Sequence, residues 1–293
     1  MQRKIRVRQV LAVAGIGSLM LATSVVAGAS STAGVYNAAD AKLVPSAYKS
    51  TTLQVATDAS YAPDESMVGT TMVGFDIDLM KAVAKTLGIR INENNVRFAI
   101  IIGGIKGGRY DIGNSSFTDN KARQKTVNFV DYFKAGEGVY ATTSSKVKFT
   151  GLRSFCGLKV AVETGTVEQQ DATTAAKACS STKKMTVLNF PDQTSANLAV
   201  LSGQADVGFV DSQIAGHIAA TVKGFKVIGS AINVAPYGIA TAKTTAGHGL
   251  AIAIKAALKT LIANGTYHSI LAKYGVTSGG LTSSKIILNG ATS

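Results

Sequence analysis

The sequence has no tryptophan, two cysteines and three histidines in 293 residues. Two cysteines exclude a disulfide-stapled scaffold, and His217, His248 and His268 are too scattered for an all-protein zinc cluster. No metal or cofactor is expected. Aromatics make up only 6% of the chain. Lys and Arg outnumber Asp and Glu by 30 to 17, yet they are spread along the chain with few rings between them to stack bases. The charge therefore reads as solvated surface, and nucleic-acid binding is not expected. The G-x-S-x-G elbow, the P-loop and the H-E-x-x-H motif are all missing. Past residue 275 no apolar run is long enough to cross a bilayer, which argues against a membrane-held sensor.

What is present begins with an export pattern. Met1 to Gln9 carries Arg3, Lys4, Arg6 and Arg8 without an acid, and Val10 to Gly28 is uncharged and ends in Ala27-Gly28-Ala29. This is the layout of a signal peptide, expected to span 1–29 with cleavage near Ala29. A retained anchor is the rival reading, but Gly15, Gly17, Ser18, Thr23 and Ser24 dilute the run. The mature chain is expected outside the cytoplasm, periplasmic or secreted. There Cys156 and Cys179 could close a disulfide loop worth about 3 kcal/mol, the alternative being two buried thiols. Residues 30–50, rich in Ser, Ala and Thr, read as a flexible leader.

With 46% hydrophobic residues the rest can bury a core as one large domain or two small ones. Leu53 to Thr57 reads as a strand and Asp58 to Gly69 as a loop. Ile77, Met80, Val83, Ala84 and Leu87 recur at helical spacing before Gly88. Further strands are expected at 110–113, 158–163, 187–190 and 206–210. Helices are expected around 100–106, after Gly165, over 250–261 and over 266–274. Such alternation predicts an α/β protein with mainly parallel sheets flanked by helices. The pattern G-x-x-D-apolar-G occurs twice, at Gly108 to Gly113 and Gly203 to Gly208, which suggests two similar lobes. Ser116 and Asp211 stand five residues past each Asp and are expected beyond the strand's carboxyl end, at the edge where ligands collect in open α/β sheets.

Asn114 to Arg123 reads NSSFTDNKAR. Its hydroxyls and guanidinium are suited to seating a carboxylate, although on these residues alone a polar loop with a capping Asp119 and a surface Arg is the simpler reading. LQVATDASYAP, GFDIDLMKAVAKTLGI, GGRYDIGNSSFTDNKARQKTVNFVDYF, CGLKVAVETGT and SGQADVGFVDS occur in this order. Together, from about Leu53 to Gly275, they resemble the amino-acid-binding (family 3) solute-binding proteins of ABC importers.

The resemblance implies a two-lobed periplasmic-binding-protein fold with the ligand cleft between lobes. It implies that Arg123, Ser116 and Thr118 hold the ligand carboxylate and that Asp211 takes the amine. Tyr61 and Phe98 would flank the side chain, and Asp58, Asp76 and Ser115 would line its pocket. A helix cap is the rival role for Asp76, core packing for Phe98 and capping for Thr118. The cysteine placement resembles a subgroup with a disulfide in the second lobe. Three positions depart from the family pattern. Asp64 stands where an aromatic is usual. Val167 replaces a common hydroxyl, leaving Thr166 to serve the carboxylate, and Glu163 replaces a residue more often neutral.

The hinge crossings are expected near 138–142 and 234–240, giving lobe one as 50–138 plus 240–278, lobe two as 139–239 and a C-terminal tail at 279–293. The acids of the pocket favour a polar or basic amino acid, such as Lys, Arg, His or Gln. A monomeric, non-enzymatic binder docking on a membrane permease is the expected function. The alternative is an exported enzyme of the cyclohexadienyl or arogenate dehydratase kind, with Glu163 as its only candidate acid.

Overall fold

The computed structural model describes residues 34–291, so the expected signal peptide lies outside the described residues. Helices α1 (Ala38–Lys42) and α2 (Ser46–Lys49) precede β1 (Thr52–Thr57), β2 (Ser60–Tyr61), β3 (Glu65–Val68) and β4 (Thr71–Val73). Then come α3 (Phe75–Leu87), β5 (Arg90–Asn95), α4 (Phe98–Lys106), β6 (Ile112–Gly113), α5 (Lys121–Gln124) and the long β7 (Val127–Thr142). Next are β8 (Lys159–Glu163), α6 (Val167–Ala176), β9 (Thr186–Phe190), α7 (Gln193–Leu201), β10 (Val207–Asp211) and α8 (Ser212–Thr221). β11 (Phe225–Val227), β12 (Ile232–Ala242), α9 (Thr245–Ala263) and α10 (Thr266–Lys273) complete the series.

The main sheet runs β5-β1-β6-β12-β7-β10-β8-β9, with β11 also on β7. β5, β1 and β6 are mutually parallel at one end, as are β10, β8 and β9 at the other. The antiparallel pair β7 and β12 joins these ends, and β7 turns to β10 from Glu137 onward. Each end has its own core. α3, α9 and α10 bury Leu79, Ile254, Leu258 and Ile270 on one, and Phe155, Val160, Val200 and Ile214 are buried on the other. α9 is apolar and long enough to cross a membrane, but its Leu250, Ile254, Ala257 and Leu261 are spent in the core. The result is the two-lobed α/β fold, with the carboxyl ends of both parallel sets turned to one cleft.

The repeated G-x-x-D-apolar-G pattern has one physical meaning in both lobes. Asp111 Oδ2 accepts the backbone N–H of Gln54 at 2.8 Å, and Asp206 Oδ2 accepts that of Lys159 at 2.7 Å. Each Asp thus anchors the start of the neighbouring strand, β1 or β8. The leading glycines, Gly108 at φ 74° and Gly203 at φ 78°, make the left-handed turn into the strand. At the closing Gly208 a Cβ would overlap the Tyr140 ring.

Three expectations are corrected. Residues 34–49 are not a loose leader: Asn37 Oδ1 caps α1 by accepting from Ala39 and Asp40, and Thr260 of α9 donates to Asp40 Oδ2 at 2.7 Å. Asp58 to Gly69 holds the antiparallel pair β2 and β3 rather than a plain loop. Asp211 is the last residue of β10, not a residue beyond it. The segment after α10 lies along β7, where Leu288 bridges Val130 and Asn289 exchanges two hydrogen bonds with the Phe129 backbone. Cys156 and Cys179 are disulfide-bonded.

Candidate functional site

Strand ends deliver the residues. Asp58 follows β1, Ser115 and Ser116 follow β6, Glu163 ends β8 and Asp211 ends β10. They surround a cavity together with Tyr61, Phe98, Thr118, Arg123 and Thr166, and with Glu65, Val167 and Glu168. Five carboxylates thus face one guanidinium. Contacts between the two sheet ends close the cavity: Tyr61 with Asp211, Gln213 with Asp64, Arg123 with Gly165, and an Arg97–Asp192 ion pair.

Arg123 sits in the one-turn α5, whose Asn120 cap accepts the Arg123 N–H at 2.8 Å. Its Nη1 donates to the Thr118 carbonyl at 2.8 Å and Nη2 to the Gly165 carbonyl at 3.0 Å. The guanidinium lies 5.4 Å from the Phe98 ring centre and 5.5 Å from that of Phe117. Among the described residues it has no carboxylate within ion-pair distance. Burial lowers its pKa to about 10. A partly desolvated cation held by carbonyls and rings suits an incoming carboxylate.

Asp211 accepts the Tyr61 hydroxyl at 2.8 Å, and burial foremost lifts its pKa to about 6 against the opposing effects of Tyr237, Tyr61 and Arg123. Asp58 accepts the Phe98 N–H at 2.9 Å and is raised chiefly by burial. Glu163 is only 2% exposed, and its Oε1 has no hydrogen-bond partner. Burial and then the Asp58 charge push it well above the usual carboxylate range, so these two acids share an acidic end of the cavity.

The hydroxyls are largely committed elsewhere. Ser115 Oγ donates to Glu65 Oε1 at 2.8 Å, and Ser116 Oγ donates to Asp64 Oδ2 at 2.8 Å. Thr166 Oγ1 donates to the Glu163 carbonyl and caps α6 by accepting from Gln169. Ser116 stands at φ 48°, a left-handed conformation unusual for serine and common where a site over-determines the backbone.

Asp76 does not reach the cavity. From the first turn of α3 its Oδ2 accepts the Ser116 N–H at 2.9 Å and the Tyr132 hydroxyl at 2.7 Å, behind the cavity wall. Nor does its side chain cap α3, whose N-cap is Gly74. Asp64, Glu65 and Asp76 form a buried acidic cluster with no cation at ion-pair distance among the described residues. Burial foremost raises all three, Asp76 to about 6 and the others well above their ordinary values, with the Asp76 charge next for Asp64 and Glu65.

Glu65 and Glu168 were not legible as site residues. Glu65 lies beside Asp64 in a stretch that reads as solvated loop. Glu168 lies in the first turn of a helix, where an acid ordinarily complements the dipole from the surface. Their only sequence signal was proximity to the Tyr61 and Thr166 segments.

Residues 53–277 match the sequence profile of the bacterial extracellular solute-binding proteins, family 3. The arginine-binding protein ArgT of Corynebacterium glutamicum is 30% identical over 212 residues, 71% of this chain and 68% of its own length. A solved ancestral arginine-binding protein bound to arginine superposes with a TM-score of 0.71 at 29% identity, covering 78% of this chain and 99% of that one. The ancestral amino acid-binding protein AncCDT-1, described as a precursor of cyclohexadienyl dehydratase, gives 0.69 at 30% identity, covering 76% and 95%. With the fold, the cleft and this coverage in agreement, the chain belongs to the bacterial extracellular solute-binding proteins, family 3.

Proposed function

We propose that this protein captures a free amino acid with a cationic side chain outside the cytoplasm and hands it to an ABC permease, acting as a monomeric binder and not as an enzyme. One observation carries the reading: five carboxylates and a single guanidinium surround the cavity. A zwitterion taken from water loses hydration at both charges, a cost met only by opposite charges and further hydrogen bonds. Arg123 would take the α-carboxylate, with Thr118 and backbone groups near Thr166 assisting, and Asp211 the α-ammonium. Tyr61 and Phe98 would flank the side chain, and Asp58 and Glu163 would receive its cation. The names of the arginine-binding relatives support this.

Because Arg123 and Asp211 belong to different halves, a bound amino acid would bridge them and favour closure about β7 and β12. We assign lobe one to 50–138 with 240–278 and lobe two to 139–239. Export by a signal peptide cleaved near Ala29 fits this role. A thermal-shift screen of the twenty amino acids, followed by calorimetry, tests the ligand. Arginine or lysine should raise Tm most; stabilisation by glutamate alone would overturn the reading.

A dehydratase is the second reading, favoured by one observation: Glu163 is a buried carboxyl at the cavity wall, pushed well above the usual carboxylate range by burial. Incubation with prephenate or arogenate decides between them. Formation of an aromatic product would replace the binding-only reading.

A further inference from the structure

Glu168 is the second residue of α6, after its cap Thr166, and it lines the cavity while only 2% exposed. A carboxylate so placed ordinarily faces solvent, and burying it without a partner is costly. Its Oε1 has no hydrogen-bond partner, and among the described residues it has no cation within ion-pair distance. The titratable groups around it are Asp211 at the end of β10, Glu137 of β7, Arg123 of α5 and Tyr61 of β2. Asp211 is the stronger charged influence on it and Arg123 the weaker. A buried acid with one oxygen unpartnered therefore lines the same cavity as the carboxylate assigned to the ligand amine.

We propose that Glu168 is a second acceptor for the ligand α-ammonium, completing with Asp211 a two-carboxylate receptor. This deepens, and rests on, the reading that an amino acid fills the cavity. An ammonium group carries three N–H donors, and one oxygen of Asp211 already accepts from Tyr61. Burial first and the Asp211 charge second push Glu168 well above the usual carboxylate range, so without a cation against it Glu168 holds its proton to higher pH than an ordinary carboxyl does. Its ionisation against the ammonium releases that proton to solvent. Asp211, near 6, is already mostly ionised at pH 7.5 and contributes little to the release. A rival role is donation by a neutral Glu168 to the ligand carboxylate, in place of the hydroxyl absent at Val167.

The test compares the wild type with Glu168→Gln by calorimetry at pH 7.5 in buffers of different ionisation enthalpy. The probes are L-arginine, agmatine (no α-carboxylate) and 5-guanidinopentanoate (no α-ammonium), with weak ligands read by displacement of L-arginine. The expected result is a loss of about 10- to 100-fold for L-arginine and for agmatine, and under twofold for 5-guanidinopentanoate. The wild type should release more protons on binding L-arginine than on binding 5-guanidinopentanoate, because both bring the same guanidinium to Glu163 and only L-arginine brings an ammonium to Glu168, a readout that does not depend on the variant folding. Unchanged affinity and proton release in the variant, or a loss that persists with 5-guanidinopentanoate and vanishes with agmatine, overturns the proposal while leaving amino-acid binding intact. If L-arginine, L-lysine and L-glutamine all fail to bind the wild type, the amino-acid reading itself falls and this inference with it.

Discussion

Tyr61 donates its phenolic hydrogen to Asp211 Oδ2 at 2.8 Å, joining residues 150 positions apart and the two ends of the sheet. The Asp211 N–H approaches the same hydroxyl oxygen at 3.3 Å. One side chain thus supplies a wall of the cavity and a tie between the halves that enclose it. Tyr61→Phe keeps the ring and deletes the tie. Calorimetry should find ligand affinity about 10-fold weaker, as for a hydrogen bond to a charged group. Undiminished affinity would mean that the tie is irrelevant to closure.

Arg123→Ala and Asp211→Ala each remove one half of the proposed clamp. Each should cost about 3 to 5 kcal/mol of binding, roughly 100- to 5,000-fold, because the ligand charge left behind is buried without a partner. Titration showing near-wild-type affinity in either variant contradicts the assigned role.

Asp131 and Glu137 are each raised to about 8 in the fold, from ordinary values of 3.8 and 4.5. Burial is the first cause in both, followed by the charge of Asp119 for Asp131 and of Asp171 for Glu137. The folded chain therefore binds protons that the unfolded chain has lost, and these groups make stability fall as pH rises from about 4 through about 8. Thermal unfolding without ligand should give a higher Tm at pH 5.5 than at pH 8.5. A flat or opposite trend would show that these acids are not held protonated.

The Cys156–Cys179 bond spans a sequence separation of 23 residues. Replacing both cysteines by serine should lower stability by about 3 kcal/mol, a fall in Tm on the order of 10 °C. Ligand affinity should change little, since neither cysteine lines the cavity. Differential scanning of the oxidised wild type against the double variant checks both the size and the separation of these effects.

Asp111 and Asp206 make equivalent bonds to strand starts in the two halves. Alanine at either position strands a backbone N–H and should cost about 1 to 3 kcal/mol in denaturant unfolding. A loss at one position only would show that the motif serves just one lobe.

Much of this molecule follows from local chemistry written in the chain. The period of Ile77, Met80, Val83 and Leu87 specifies α3. The paired G-x-x-D-apolar-G units specify two strand entries. The ordered motifs around Asp58, Ser116 and Asp211 mark strand ends that a parallel sheet must bring to one edge. These are short-range rules, satisfied within a few residues.

Other features depended on neighbours far away in sequence. Residues 34–49 become ordered because α3 and α9 offer them a surface. Asp76 turns from pocket residue to support because Ser116 and Tyr132 meet it from β6 and β7. Glu65 and Glu168 are surface-like acids until tertiary contacts bury them, Glu65 against Ser115 of its own half. Periodicity reports which face of an element is apolar, whereas the protonation and purpose of a carboxylate depend on which charges and how much water surround it, and only the closed tertiary structure decides that.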